Sequence, residues 1–144
     1  MKDFNLMNPF STQPHCLPNY LHCEVSGPDE AIVIVREITS SCRDNFPYLP
    51  RGIGNITRGV SLHFQVPSTG RQVTPVGYVN FRYLWKKGVL EITVDNSSKP
   101  YERKKPLEML EILTRHLLET QKNVLDVKPD FGLKKSIGMK TKVQ

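Results

Sequence analysis

Apolar and polar residues alternate along residues 79–94, and this alternation predicts a β-hairpin. One side of the hairpin carries Val79, Phe81, Tyr83 and Trp85 from the first strand and Leu90, Ile92 and Val94 from the second. The tripeptide Lys86-Lys87-Gly88 between them is typical of a short turn, in which Gly88 takes a positive φ. We expect the aromatic side to face the core and to hold a helix there rather than a ligand.

Four more segments, three before the hairpin and one after it, have the character of strands. Tyr20–Val25 and Gly59–Val66 alternate, so each is expected to bury one side. Ala31–Ile38 reads AIVIVREI and is nearly continuous in β-branched residues. It is predicted to be a strand, either covered on both faces or lying under the C-terminal helix, and to form a hairpin with Tyr20–Val25. Val124–Val127 is expected to add an edge strand.

A single helix is predicted near the C-terminus. Pro106 suits its first turn, where the missing N–H has no intrahelical partner. Leucines then recur at helical spacing through about Gln121: Leu107, Leu110, Leu113, Leu117 and Leu118. A helix this apolar must cover the sheet. The elements together predict an α+β fold, an antiparallel meander of about five strands with one C-terminal amphipathic helix packed on it.

The chain divides into three parts by composition. The proline-rich residues 1–18 are expected to form a flexible arm, residues 19–127 a single α+β domain, and residues 128–144 a basic flexible tail. Within the domain, Ser40–Arg58 is longer than an ordinary connection and contains several prolines and glycines. Such length is typical of a functional loop.

Charge favours anionic partners. The 144 residues contain 20 Lys and Arg against 14 Asp and Glu, a net charge of +6. Nucleic acid and acidic lipid both suit that balance. The N-terminus lacks the apolar core of a signal peptide, and no apolar run is long enough to span a bilayer. We therefore expect a cytoplasmic location, which includes a membrane surface or a virion. The nucleus is the alternative location.

Cysteine and histidine supply the densest group of potential metal ligands. His15-Cys16 and His22-Cys23 repeat the same pair seven residues apart. Structural zinc ligands usually come in tighter turns, and Cys23 is predicted to point inward while His22 points outward. Packing of small buried cysteines is therefore the favoured interpretation, and metal binding by these four residues stays open. We predict no catalytic residue, no metal or cofactor, and no small-molecule substrate.

Basic residues give the better indication of function. The candidate contacts to an acidic membrane or to nucleic acid are Lys86, Lys87, Arg103, Lys104, Lys105, Lys134, Lys135, Lys140 and Lys142. Their alternative role is that of an ordinary solvated surface. Base stacking on Phe81, Tyr83 and Trp85 is disfavoured because all three lie on the predicted core side, which leaves Tyr78 alone.

The region from Cys42 to Asp126 resembles the C-terminal part of matrix proteins of vesiculovirus-type rhabdoviruses. The resemblance depends on Cys42 shortly before Tyr48-Leu49-Pro50, on Gly54, on the run LWKKGVLEIT at 84–93, on Asn96-Ser97-Ser98-Lys99 before the helix, and on Val124-Leu125-Asp126 after it. Such matrix proteins have a lysine-rich arm and a Pro-Pro-x-Tyr motif. Here the arm is nearly uncharged, and Pro18-Asn19-Tyr20 matches the motif only in part.

The resemblance implies a non-enzymatic protein that self-associates, binds acidic phospholipid through basic residues and contacts nucleoprotein. The first functional hypothesis is accordingly a matrix-like structural or assembly protein, a homo-oligomer that binds an acidic membrane surface or nucleoprotein. The alternative is an RNA- or DNA-binding regulatory module.

Overall fold

Five strands and two α-helices make up the described part of this computed structural model, which covers residues 19–48, 52–66, 77–96 and 104–132. In chain order the elements are β1 (Tyr20–Glu24), α1 (Pro28–Ser41), a short 3-10 helix (Arg43–Asn45), β2 (Val60–Phe64), β3 (Gly77–Leu84), β4 (Val89–Asn96), α2 (Lys104–Glu119) and β5 (Val124–Lys128). The predicted arm, residues 1–18, and residues 133–144 of the predicted tail, 128–144, lie outside the described residues.

All five strands form one antiparallel sheet in the order β2-β3-β4-β1-β5. The predicted α+β class and five-stranded antiparallel sheet are thus confirmed. The predicted meander is wrong beyond β2-β3-β4, because β1 lies between β4 and β5. Consequently β1 and β3 run parallel on either side of β4, and β4 and β5 run parallel on either side of β1. The unit β4-α2-β5, whose two parallel strands lie on either side of β1, is a split β-α-β connection.

The segment Ala31–Ile38 is part of helix α1, so its prediction as a strand is wrong. Ala31, Ile34, Val35 and Ile38 are buried at spacings of three and four residues, which is the period of a helix. Its start has the usual helical signals: Pro28 in the first turn, followed by two acidic residues. The Glu30 carboxylate also accepts a hydrogen bond from the backbone N–H of Ser26 at 2.7 Å.

The β3–β4 hairpin is present as predicted, and Gly88 has the expected positive φ of 67°. Val79, Phe81 and Tyr83 are buried, as are Leu90, Ile92 and Val94 on the partner strand. Trp85 is the exception, because 67% of it is exposed. β3 ends at Leu84 and the chain turns over residues 85–88, so the strand alternation no longer determines where Trp85 points.

One face of the sheet carries the hydrophobic core. Buried residues of α1 and α2, including Ile34, Val35, Leu110 and Leu113, form a single cluster with the apolar side of the strands. Contacts link α2 to β4, β5 and β1, and α1 to β3. The opposite face, here called the open face, carries mostly polar and aromatic side chains. Neither described helix has the length and hydropathy that a bilayer crossing requires.

Candidate functional site

The turn between β3 and β4 projects three large side chains beyond the sheet. The backbone N–H groups of Lys87 and Gly88 both donate to the carbonyl oxygen of Leu84, at 3.1 and 2.8 Å, so the chain reverses within four residues. Trp85, Lys86 and Lys87 occupy this turn and are exposed. We call these three residues the hairpin tip.

Beside the hairpin tip lies a hollow of about 470 Å³. It is lined by Thr57 and by the continuous segment Arg82–Lys87. The loop that carries Thr57 is held against β3, because the backbone N–H of Tyr83 donates to the carbonyl oxygen of Ile56 at 2.9 Å and the Ile56 side chain is buried. The C-terminal part of the predicted functional loop therefore forms one wall of the hollow.

Positive charge dominates this hollow. Arg82, Lys86 and Lys87 are exposed, and none of them forms an ion pair with another described residue. The ammonium nitrogen of Lys86 lies 5.6 Å from the centroid of the Trp85 ring, within range of a cation–π contact. An indole ring and three cationic side chains around one concave surface suit a ligand that has both a planar apolar part and negative charge.

The other predicted basic contacts are at the far end of the sheet or outside the described residues. The end of β1 connects the start of β5 to the hairpin turn. The backbone N–H of Glu24 donates to the carbonyl oxygen of Asn123, just before β5, and the N–H of Val25 donates to the carbonyl oxygen of Gly88, so β5 begins near the hairpin tip. Only four residues separate the end of α2 from the start of β5, so the C-terminal end of α2 is also near the hairpin tip. The first residues of α2, Lys104 and Lys105, lie at the other end of this helix, which is about 24 Å long at 1.5 Å per residue. Arg103, Lys134, Lys135, Lys140 and Lys142 fall outside the described residues.

The candidate metal ligands are divided by the sheet. Cys23 is fully buried on the core face, whereas His22 on the open face lies 3.0 Å from Glu91. Neighbouring residues on opposite faces of a strand cannot hold one ion together. His15 and Cys16 lie outside the described residues, within which no group of three potential ligands occurs. Burial raises the pKa of the Cys23 thiol to about 12 and also raises the pKa of the half-buried Cys42 thiol.

A second hollow, of about 490 Å³, lies along α2. Its ionisable lining includes Glu108, Glu111 and Glu119, and Arg115 is already paired with Glu111 at 3.0 Å. His116 also lines it; the buried Nε2 has no hydrogen-bond partner among the described residues, and burial lowers the pKa of the ring. A wall with this many carboxylates repels polyanions, so the hollow at the hairpin tip is the better candidate for an anionic ligand.

Sequence reasoning identified Lys86 and Lys87 but missed three other residues of this site: Thr57, Arg82 and Trp85. A signal for Trp85 was present in the sequence. Trp85 directly precedes the predicted turn at residues 86–88, so it lies at the end of the strand, where the alternation of buried and exposed residues no longer applies. Thr57 is distant in sequence and no local pattern indicates its position.

A comparison of the chain with models of protein families, with characterised proteins and with solved structures finds no match.

Proposed function

We propose that this protein binds single-stranded nucleic acid at the hairpin tip, without a catalytic step. The observation that carries the proposal is the exposed Trp85 ring beside the cationic side chains of Arg82, Lys86 and Lys87. Proteins that bind single strands combine a positively charged groove for the phosphates with aromatic rings on which bases stack. Both parts are present around one hollow.

The concave shape favours a single strand over a duplex. Bases of a duplex are stacked on one another and cannot reach an aromatic side chain, whereas the bases of a single strand are free to do so. Arg82 lies on the open face, back from the turn, so a strand bound at Trp85 also meets a cation on the sheet. The net charge of +6 adds a general attraction for polyanions.

The test is binding of a labelled single-stranded RNA, measured by fluorescence anisotropy over a salt series. We expect the logarithm of the affinity to fall linearly with the logarithm of salt concentration. In the double variant Lys86→Gln/Lys87→Gln the slope should decrease by about 0.7 for each lysine removed. The single variant Trp85→Leu should weaken binding with little change in slope, because it removes stacking and no charge.

The matched control is Arg36→Gln/Arg43→Gln, which also removes two positive charges. Both arginines are exposed, on α1 and on the short 3-10 helix, and neither is part of the hairpin tip. We expect this variant to retain nearly the affinity and slope of the parent. A loss as large as that of the lysine variant would mean that net charge alone attracts the RNA, and absence of binding at low salt would exclude the function.

A second candidate, the matrix-like assembly protein, is favoured by the same tryptophan. An exposed indole next to Lys86 and Lys87 at a projecting turn is also the composition of a membrane-interface anchor. Each lysine near an acidic surface contributes about 1 kcal/mol. The resemblance to rhabdovirus matrix proteins, which includes the run at 84–93, points in the same direction, and it implies that the chain also self-associates.

Sedimentation with vesicles separates the two candidates. Membrane attachment predicts that the protein co-sediments with phosphatidylcholine vesicles containing phosphatidylserine and stays in solution with phosphatidylcholine alone. Trp85 is the only tryptophan, so its emission should shift to shorter wavelength on the acidic vesicles. Equal binding to both vesicles, or to neither, excludes this candidate and leaves the RNA experiment to decide the first.

A further inference from the structure

Three aromatic rings form a row on the open face, away from the hairpin tip. The ring centroids of Tyr48 and His63 are 5.6 Å apart, and those of His63 and Tyr78 are 4.6 Å apart. Tyr48 is 61% exposed and Tyr78 is 45% exposed. We call these three residues the ring row.

The polar side-chain atoms of the ring row have no hydrogen-bond partner among the described residues. Within the described part of the chain, neither tyrosine hydroxyl nor the His63 imidazole makes a side-chain hydrogen bond. A pair of rings elsewhere on the open face, Tyr20 and His22, differs in this respect: Tyr20 donates to Asp126 at 2.9 Å and His22 lies 3.0 Å from Glu91. The ring row is therefore an exposed aromatic surface that internal hydrogen bonds do not account for.

A carboxylate lies next to the ring row and defines what the surface can accept. Asp95 is directly opposite Tyr78 in the β3–β4 register, and opposed side chains in a sheet have Cβ atoms about 5 Å apart. Its Oδ2 accepts a hydrogen bond from the Asn80 amide at 2.8 Å, which leaves its other lone pairs available. A carboxylate repels phosphate but accepts hydrogen bonds from the amino groups of bases.

We propose that the ring row is a base-binding subsite, in which Tyr78 and its neighbours stack bases of a single strand and Asp95 accepts a hydrogen bond from an exocyclic amino group. This proposal rests on the function proposed above and adds selectivity to it. Cytosine and adenine carry such an amino group in a position to donate, and uracil does not. The subsite therefore prefers cytosine- or adenine-containing strands to uracil-containing ones.

The position of the ring row relative to the hairpin tip fits a continuous strand. Tyr78 and Arg82 are four residues apart on the same face of β3, a separation of about 13 Å at 3.3 Å per residue. Trp85 follows immediately after the strand. Bases placed on the ring row thus leave the phosphates free to continue toward the cations at the hairpin tip, away from Asp95.

The test compares RNA decamers of A, C and U by anisotropy at one salt concentration. We expect the parent protein to bind the A and C decamers more tightly than the U decamer. Tyr78→Leu should weaken binding of the A and C decamers by about 5- to 150-fold, the range for loss of one stacked base. Tyr78→Phe, which keeps the ring, should bind like the parent. Asp95→Ala should bring the ratio of C to U affinity close to one.

The matched control is Tyr20→Leu, which removes a tyrosine of the open face that is already hydrogen-bonded, and which should leave RNA affinity unchanged. Parent-like binding by Tyr78→Leu, with the lysine double variant weakened, overturns the ring row while the proposed function stands. An unchanged C to U ratio in Asp95→Ala overturns the role of the amino group. No binding of any decamer by the parent overturns the proposed function itself. Far-ultraviolet circular dichroism confirms that each variant is folded.

Discussion

The two faces of the sheet are built from the same strands but differ in the burial of their side chains and in what those side chains contact. Along β1, Leu21 and Cys23 are fully buried beneath the helices, while Tyr20 and His22, which alternate with them, lie on the open face. Along β3, Phe81 is fully buried and Tyr78 is 45% exposed. Residues of one chemical type, aromatic rings above all, hold the fold together on one face and are available to a ligand on the other.

The open face is itself divided. On the β1 and β5 side, Tyr20 and His22 are each tied to a carboxylate, so their rings belong to the internal hydrogen bonding of the sheet. On the β2 and β3 side, the ring row has no such partner among the described residues. Exposure therefore identifies the surfaces that a ligand can reach. The lack of internal hydrogen bonds among the described residues then distinguishes the ring row, because its rings are not part of the hydrogen bonding that stabilises the sheet.

The largest difference between the faces should be seen in stability along β3. Phe81→Ala removes a fully buried ring from the core and should lower the free energy of unfolding by about 3–5 kcal/mol. Tyr78→Ala, three residues earlier on the open face, should lower it by less than about 1 kcal/mol. Chemical denaturation measures both. Equal losses would mean that the open face is covered in solution.

Cysteine substitutions compare depth within the core face. Cys23→Ser places a hydroxyl at a fully buried site on β1, which should destabilise the protein by about 1–3 kcal/mol. Cys42→Ser, at the half-buried position that follows α1, should have less than half that effect. The midpoint of thermal unfolding is a sufficient measurement. A larger loss at Cys42 would contradict the assigned burial.

The hydrogen bond between Tyr20 and Asp126 gives the open face a pH dependence. That bond raises the pKa of the Tyr20 hydroxyl above its ordinary value of 10.0, because it favours the protonated form. The stabilisation is therefore complete below the ordinary pKa and is lost as pH rises through the folded value.

Asp126→Asn should remove that contribution. We expect it to lower the free energy of unfolding by less than about 1 kcal/mol near neutral pH, since the pair is exposed. The difference from the parent should shrink above pH 10. Ultraviolet titration should show the pKa of Tyr20 moving back toward that of an ordinary tyrosine. An unchanged titration in the variant would mean that Asp126 does not hold the hydroxyl.

The smallest effect is expected at Trp85. Trp85→Leu should change the free energy of unfolding by no more than about 0.5 kcal/mol, because the side chain is 67% exposed. Truncation of a tryptophan in the core would instead lower it by about 3–5 kcal/mol. Urea denaturation followed by circular dichroism distinguishes the two. A loss of several kcal/mol would return Trp85 to the core and remove it from the hairpin tip.

The two helices show why the sequence predicted one and missed the other. In α2 the leucines are separated by polar residues at helical spacing, so the pattern has only one interpretation. In α1 the run Ala31–Ile38 contains five β-branched residues, which favour a strand and obscure the helical spacing of the buried positions. The helix forms because Ala31, Ile34, Val35 and Ile38 all face the core, where burial outweighs a weak local preference.

The sequence by itself determined the β3–β4 hairpin with its turn at Gly88 and the amphipathic helix α2, because each follows from the order of residues within one short segment. The excess of positive charge follows from composition alone. Only the tertiary structure decided that Trp85 is exposed, that Thr57 closes a hollow beside it, and that Tyr48, His63 and Tyr78 lie in one row. These arrangements depend on strand register and on contacts between residues far apart in the chain. The pattern of residues within one short segment carries no information about either.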